Sequence, residues 1–290
     1  MPNKLRFIPA DGNADAAEDA LWELGALAVT LQDAGDQPLH EPGPGETPLW
    51  KEPIVEALLP DEIEARQALL ALAAAQVISS PAEVQFEPLA ERDWERAWMD
   101  RFEPMRFGES IWICPSHVEP DPGWDVVVRL DPGLAFGTGT HPTTALCLEW
   151  MDGVDFRGRT VIDYGCGSGV LAVVAALKGA ARTFAVDHDP QALTATRDNA
   201  ERNGVSAAIE TALPDTFEDN RADIVLANIL AGPLIELSDQ LCAHTRPGGW
   251  LVLSGILAGQ ADEVENAYAP LLGPAQRVIR EDWVRLDFRR

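Results

Sequence analysis

The chain contains a segment with the composition of a ligand-binding turn, Asp163-Tyr164-Gly165-Cys166-Gly167-Ser168-Gly169. The segment lies between an apolar run at residues 160–162 and a second one from Val170 to Leu177, a pattern that predicts a strand, a glycine turn and a helix. The glycines let the backbone turn sharply and approach a ligand without Cβ clashes. The start of the helix adds unpaired N–H groups. The segment therefore predicts a site for a nucleotide-like ligand.

A second acid and the glycine spacing narrow the class of ligand. Asp187 ends the next apolar run, where a carboxylate can accept hydrogen bonds from both hydroxyls of a ribose. A dinucleotide fingerprint needs its third glycine at position 170, which is Val170 here. Asp163 would repel a pyrophosphate, but it suits the cationic ammonium of S-adenosylmethionine (SAM). The pattern favours a SAM site, and an ordinary tight turn is the alternative.

The composition of the chain favours some classes of binding partner and disfavours others. The net charge of −25 at pH 7 disfavours nucleic acid and favours a basic partner, although acid excess also serves solubility. The chain has no apolar run near the ~20 residues that span a bilayer and no signal-peptide pattern, so we expect no membrane contact and a cytoplasmic location. The cysteines are scattered, without metal-binding pairs, and no metal is expected.

The N-terminal part of the chain predicts a small α+β domain. Strand patterns occur at residues 4–8, 28–32, 54–59 and 83–88, and helical patterns at 15–24 and 62–76. Their order, βαββαβ, is that of a ferredoxin-like unit. We therefore assign residues 1–88 to a ferredoxin-like domain and residues 89–106 to a linker helix with Trp94, Trp98 and Phe102 on one face.

Residues 107–290 predict an open, mostly parallel α/β domain. Strands begin near residues 160, 183, 207, 222 and 250, helices begin near 169, 190, 232 and 260, and the segments 276–280 and 284–289 form a hairpin. Asn228 follows the strand at 224–227. It is therefore expected at the carboxyl edge of the sheet, where α/β proteins bind ligands.

Three segments carry a family resemblance. The segments Leu130–Thr144, Val161–Gly169 and Ala227–Leu234 together closely resemble the ribosomal protein L-eleven methyltransferases, bacterial enzymes that use SAM to methylate amino groups of a large-subunit ribosomal protein. The resemblance covers nearly the whole chain, including the small N-terminal domain that holds the protein substrate in that family. It implies a Rossmann-like seven-stranded SAM-dependent methyltransferase domain with an N-terminal ferredoxin-like α+β domain.

The resemblance also implies a set of site residues. The expected cofactor-binding residues are Phe136, Thr144, Asp163, Gly165, Gly167, Gly169, Asp187 and Asn228. Thr144 lies near a predicted helix start, where it is expected to bind the carboxylate of SAM, whereas Thr143 is expected to cap that helix. Phe136 would lie in a flap over the methyl donor, with a plain surface loop as the alternative. His141 is interpreted as a turn residue.

Asn228 is the predicted catalytic residue. Its amide oxygen could accept a hydrogen bond from the incoming amine and aim the amine lone pair at the methyl carbon, with a helix cap as the alternative. Many amino-group methyltransferases have two prolines and an aromatic after this position, and this chain has Ile229-Leu230-Ala231 instead. We expect orientation, desolvation and electrostatics to dominate, without a covalent intermediate.

The resemblance therefore implies a SAM-dependent protein-lysine N-methyltransferase that acts on a basic large-subunit ribosomal protein, with the N-terminal amine as a further target. We expect a monomer. One alternative is a SAM enzyme that acts on RNA or a small molecule, although the acid excess argues against RNA. The other is a SAM-binding module without catalysis.

Overall fold

The structure, a computed structural model, describes residues 2–10, 12–35, 50–88, 102–131, 141–217 and 220–290. The chain divides into two compact units, residues 1–94 and 95–290, each of which is described by itself. Within these described ranges, no helix combines the length and the apolar composition needed to cross a membrane.

The first unit is an antiparallel sheet with two helices. Its elements are β1 (Asn3–Phe7), α1 (Ala14–Glu23), β2 (Ala28–Asp33), β3 (Pro53–Leu59), α2 (Glu62–Ala74) and β4 (Gln85–Pro88). The strand order is β2-β3-β1-β4. Buried and half-buried side chains alternate along β1 and β3, so one face of the sheet packs into a core shared with both helices. This arrangement confirms the predicted ferredoxin-like fold.

Side-chain caps fix where the two helices begin. Asn13 Oδ1 accepts a hydrogen bond from the Ala16 N–H at 3.1 Å, and Asp61 Oδ1 accepts one from the Glu64 N–H at 2.9 Å. Each cap satisfies an N–H that has no partner inside its helix. Each helix start is therefore encoded by residues within three positions of one another.

The second unit is built around a large sheet. A separate three-stranded sheet precedes it, with strands β5 (Met105–Phe107), β6 (Ile111–Cys114) and β7 (Val126–Arg129). The large sheet contains β8 (Thr160–Tyr164), β9 (Arg182–Val186), β10 (Ile209–Ala212), β11 (Ala222–Asn228), β12 (Thr245–Leu257), β13 (Gln276–Arg280) and β14 (Trp283–Arg289). Its order is β10-β9-β8-β11-β12-β14-β13, parallel from β10 to β12 and antiparallel in the final hairpin. This confirms the seven-stranded Rossmann-like prediction.

Helices cover both faces of the large sheet. They are α3 (Pro142–Asp152), α4 (Val170–Leu177), α5 (Pro190–Arg202), α6 (Ala231–Glu236), α7 (Ser238–His244) and α8 (Ala261–Leu272). One core contains residues of α3 and α4, and the other contains residues of α6, α7 and α8. Because β8 and β11 are buried on both faces, they are almost continuously apolar. Asp163 and Asn228 are the polar residues near their carboxyl ends.

The structure differs from the predicted elements at three places. Met105–Phe107 is a strand, so the predicted linker helix does not extend to residue 106; Pro104 lacks the N–H that a continuing helix needs. Residues 89–101, with Trp94 and Trp98, lie outside the described residues, and the boundary at residue 88 stays a prediction. The helix predicted from residue 232 is two helices, α6 and α7. Strand β12 begins at Thr245, before the predicted start near Trp250.

Asp152, the last residue of α3, ties that helix to the turn between β5 and β6. Its carboxylate accepts hydrogen bonds from the Glu109 N–H at 2.8 Å and the Ser110 N–H at 3.0 Å, and also from the Ser110 hydroxyl. Partial burial acts to raise the pKa of Asp152, but these hydrogen bonds and Lys178 outweigh it, so its pKa lies below the ordinary value. The ionised carboxylate therefore stabilises the fold.

Asp152→Asn should lower the free energy of unfolding at pH 7 by about 1–3 kcal/mol, because an amide cannot accept all of these bonds. A carboxylate with a lowered folded-state pKa stabilises the protein above its unfolded value near 3.9, and this contribution is lost as the pH falls through the folded value. The difference between variant and wild type should therefore shrink in acid. Denaturant unfolding at several pH values measures it, with the exposed Asp198→Asn as control, and equal losses in both variants would contradict this role.

Candidate functional site

A cavity of about 190 Å³ lies at the carboxyl ends of β8, β9 and β11. Its lining residues are Thr144, Asp163, Gly165, Cys166, Gly167, Val170, Leu171, Asp187, His188, Asn228 and Ile229. Six of the eight residues predicted to bind the cofactor are among them, namely Thr144, Asp163, Gly165, Gly167, Asp187 and Asn228. The fold thus brings together residues that are up to 84 positions apart in the sequence.

The glycine turn forms one wall of the cavity. Gly165, Gly167 and Gly169 have φ values of 76°, 53° and 75°, which L side chains rarely adopt. Gly165 and Gly167 line the cavity, whereas Gly169 does not. A Cβ at Gly169 would lie 2.6 Å from Thr196 Cγ2, so this glycine makes room for α5. That Gly169 binds the cofactor stays a prediction, and its contact with Thr196 gives it a packing role as well.

Two side chains of α5 brace the turn from behind. The Thr196 hydroxyl donates to the Gly167 carbonyl at 3.1 Å, and Asn199 Nδ2 donates to the Ser168 carbonyl at 2.8 Å. Both residues are buried. With these carbonyls held at the back, the N–H of Gly167 points toward Asp187. Sequence reasoning missed this pair, whose signal is two polar residues spaced i, i+3 on the buried face of an amphipathic helix.

Asp163 is a buried carboxylate at the floor of the cavity. Its Oδ2 accepts a hydrogen bond from the Ala172 N–H at 3.0 Å, and its Oδ1 has no partner among the residues that the structure describes. Burial raises the pKa of Asp163 to about 7; the Ala172 N–H opposes this rise, and the negative charge of Asp187 adds to it. A cation bound beside Asp163 would reverse the shift by favouring the ionised form.

Asp187 closes the other side of the turn. Its Oδ2 accepts a hydrogen bond from the Gly167 N–H at 2.9 Å, and its Oδ1 accepts one from the Asp189 N–H at 3.0 Å. His188 Nδ1 lies 3.4 Å from the same Oδ1. A carboxylate has about four lone-pair positions, so Asp187 retains capacity for further donors such as a pair of vicinal hydroxyls.

The start of α3 supplies a third wall. His141 is the N-cap, and its Nδ1 accepts from the Thr143 N–H and lies 2.8 Å from Thr143 Oγ1. The expected cap at Thr143 is thus provided by His141, and the interpretation of His141 as a plain turn residue is corrected. Burial lowers the pKa of His141, against the opposing charge of Glu281. Thr144 is fully buried and faces the cavity.

Asn228 joins these walls. Its Nδ2 donates to Thr144 Oγ1 at 3.3 Å, and its buried Oδ1 accepts nothing within the described parts of the chain. The N-cap of the following helix, α6, is Leu230, which makes no side-chain capping bond. The structure therefore contradicts the alternative in which Asn228 caps this helix. It leaves a free amide oxygen at the edge of the cavity.

A second cavity of about 250 Å³ meets the first at Asn228 and Ile229. Its other lining residues are His141, Thr143, Leu230, Gly255 and Trp283. Trp283 packs edge-on against His141 with ring centroids 4.8 Å apart. This mostly apolar channel, which Asn228 also lines, suits an aliphatic chain that carries a polar head group.

Phe136 and Cys166 are two further residues to place relative to the site. Phe136 lies in residues 132–140, outside the described residues, so its role in a flap stays a prediction. Cys166 lines the cavity, but burial raises the pKa of its thiol far above the ordinary value. It therefore stays protonated and is a poor nucleophile.

The brace on the glycine turn predicts that Asn199→Ala weakens SAM binding. Losing a buried hydrogen bond costs about 1–3 kcal/mol, which corresponds to a roughly 5- to 100-fold change in affinity if the turn loses its shape. Asn203→Ala is the matched control, because Asn203 is the C-cap of the same helix and its side chain bonds the Arg129 backbone and the Asn199 carbonyl rather than the glycine turn. Calorimetric titration of both variants measures the difference. Equal affinities would contradict the brace.

The raised pKa of Asp163 predicts that SAM affinity rises with pH through about 7. A cationic ammonium pairs with the ionised carboxylate, which is about 10% populated one pH unit below the pKa. Affinity at pH 8 should therefore exceed that at pH 6 by about tenfold. Calorimetry in buffers of different ionisation enthalpy would also detect the released proton. A flat profile identical to that of Asp163→Asn would contradict this assignment.

Comparison with known proteins finds relatives that match nearly the whole length of the chain. The family model described as "Ribosomal protein L11 methyltransferase (PrmA)" matches residues 2–290. The ribosomal protein L11 methyltransferase of Marinobacter nauticus is 54% identical, over 100% of this chain and 99% of its own length. That of Pseudomonas aeruginosa is 52% identical, over 99% of this chain and 98% of its own length. The crystal structure of a ribosomal protein L11 methylase from Lactobacillus delbrueckii subsp. bulgaricus is 31% identical with a TM-score of 0.58, over 64% of this chain and 98% of that one. The chain belongs to the ribosomal protein L11 methyltransferase family.

Proposed function

We propose that this protein transfers methyl groups from SAM to amino groups of ribosomal protein L11, with lysine side chains as the main acceptors and the N-terminal amine as a further one. Membership of the family supports the reaction and the substrate protein. The observation that carries the amine specificity is that Asn228 lines both cavities and that its Oδ1 has no partner among the described residues.

The residues of the first cavity fit SAM. The buried carboxylate of Asp163, with its Oδ1 unpaired among the described residues, is a counter-charge for the methionine ammonium. Gly165 and Gly167 leave space for close approach of the ligand, and Asp187 can accept from the ribose hydroxyls. The N–H groups and hydroxyl at the start of α3, near Thr144, suit the methionine carboxylate. The sulfonium of bound SAM supplies an already activated methyl group.

The second cavity fits the acceptor. Its apolar wall, formed in part by Ile229, Leu230 and Trp283, can pack against the four-carbon stem of a lysine. The amine then lies beside Asn228. A lysine with a pKa near 10.4 is neutral in only about one molecule in a thousand near pH 7.4, and desolvation in this channel lowers its pKa.

Asn228 orients the neutral amine. Its free Oδ1 can accept one amine N–H, which directs the nitrogen lone pair away from the amide and toward the first cavity. Its Nδ2 is bonded to Thr144 Oγ1, so the oxygen keeps its orientation. Catalysis then needs positioning and desolvation rather than an ionised side-chain base.

Residues 1–88 are proposed to recognise the ribosomal protein. The net charge of −25 would attract a basic substrate surface and disfavour direct RNA binding. A monomer is proposed, and a cytoplasmic location follows from where ribosomal proteins are made.

Methyl transfer from SAM labelled in its methyl group tests the reaction. With purified ribosomal protein L11 and ribosomal RNA in the same assay, label should enter the protein, and peptide mass spectrometry should place it on lysine and N-terminal amines. Label in RNA would favour the alternative acceptor. SAM binding without transfer to protein, RNA or small molecules would favour a non-catalytic module.

Asn228→Ala should lower single-turnover methylation by at least about tenfold while changing SAM affinity far less, because the lost contact acts on the attacking amine. Asn228→Asp keeps an acceptor oxygen and should retain more activity than the alanine variant. Quenched-flow methylation and calorimetric SAM titration on the same preparations measure the two effects. Near-normal turnover in Asn228→Ala would remove this residue from catalysis.

A further inference from the structure

Strand β12 contains a bulge beside the site. Leu253 pairs with Leu286 and Ile256 pairs with Val284, so Ser254 and Gly255 together lie opposite Arg285 of β14. Gly255 has a φ of 87°, in the left-handed region that favours glycine. A bulge of this kind bends a strand locally and changes the direction of its side chains, and such bulges are common next to active sites.

Gly255 lies directly against the backbone that follows Asn228. A Cβ at this position would lie 2.2 Å from the Ile229 carbonyl oxygen, 2.8 Å from its carbonyl carbon and 3.1 Å from its nitrogen. From the other side, a Cβ at Gly165 would lie 2.1 Å from Ile229 Cγ2. Ile229 is therefore held between two glycines. Because the contacts at Gly255 involve the main chain of Ile229, they also restrict the direction in which the preceding residue, Asn228, enters the cavity.

The same bulge holds the start of α3. The buried Ser254 hydroxyl donates to the Thr143 carbonyl at 3.0 Å. Arg285, opposite the bulge, donates to the Leu146 carbonyl of the same helix and is paired with buried Asp287 at 2.7 Å. Thr144 lies between these two anchored carbonyls. One irregularity in β12 thus contacts Thr143 and Ile229, the chain neighbours of the two residues that share the hydrogen bond between Thr144 and Asn228.

We propose that the Ser254–Gly255 bulge sets the relative position of Thr144 and Asn228, so that Ser254 and Gly255 are positioning residues for methyl transfer. The inference rests on the proposed function, because it assigns them a role through the amide of Asn228. Misplacement of an orienting group by about 1 Å can cost on the order of 100-fold in rate. A shift of Ile229 to accommodate a new methyl group is of that size.

The test compares Gly255→Ala with Gly248→Ala. Both glycines belong to β12 and have positive φ, 87° and 77°, but a Cβ at Gly248 meets nothing within 4 Å. The two variants therefore share the backbone strain and differ in contact with Ile229. Gly255→Ala should lower single-turnover methylation by about 10- to 100-fold with SAM affinity within about threefold of wild type, whereas Gly248→Ala should keep the wild-type rate. Equal rates in the two variants would overturn the proposal.

A double-mutant cycle shows whether the effect passes through Asn228. In an Asn228→Ala background, Gly255→Ala should cost less than about threefold, because the group it misplaces is already absent. Full additivity would overturn the positioning role while leaving the function of Asn228 intact. Full activity of Asn228→Ala alone would instead overturn the proposed function and, with it, this inference.

Ser254→Ala gives a second measurement if Gly255→Ala fails to fold. It removes the hydroxyl that holds the Thr143 carbonyl and should lower turnover more than it lowers SAM affinity, with the same loss of effect in the Asn228→Ala background. An unchanged turnover in Ser254→Ala would remove Ser254 from the proposal.

Discussion

The site depends on two buried hydrogen-bond acceptors that have no protein partner among the described residues. Both belong to residues that line the cavity at the carboxyl ends of β8, β9 and β11. Within the parts of the chain that the structure describes, Asp163 Oδ1 and Asn228 Oδ1 both lack a partner. Each such atom costs about 1–3 kcal/mol of stability, and a buried carboxylate costs more. Both residues line the cavity at the carboxyl ends of the strands, where a bound ligand can complete them. The ammonium of SAM and the acceptor amine carry the matching donors.

The rest of the second unit keeps these acceptors free and fixed. Strands β8 and β11 are covered on both faces, so their carboxyl ends are rigid platforms for Asp163 and Asn228. Thr144 holds one end of the Asn228 amide and thereby leaves the other end free. Hydrogen bonds from α5 hold the glycine turn, and the bulge in β12 contacts both Ile229 and the start of α3. The proposed catalysis by orientation requires rigidity of this kind.

The sequence predicts the parts of the site that have local causes. The glycine turn, Asp163 and Asp187 are each predicted from the residues immediately around them, and an open, mostly parallel sheet follows from βα alternation with a terminal hairpin. The seven-stranded methyltransferase fold is what the family resemblance implies. Gly169 fits the same local pattern, but its contact with Thr196 becomes visible only in the tertiary packing. The bulge at Ser254–Gly255 depends on pairing with β14 and on a hydrogen bond to a residue 111 positions away. No window of sequence contains that information.

A structure with S-adenosylhomocysteine and a lysine-containing peptide of ribosomal protein L11 would show whether Asn228 orients the acceptor, because it locates the acceptor nitrogen. This nitrogen should lie about 3 Å from Asn228 Oδ1. The peptide side chain should pass along Trp283, and the methionine ammonium should lie against Asp163. An acceptor nitrogen that reaches the sulfur by another route, with Asn228 Oδ1 bonded to protein backbone, would contradict this role of Asn228.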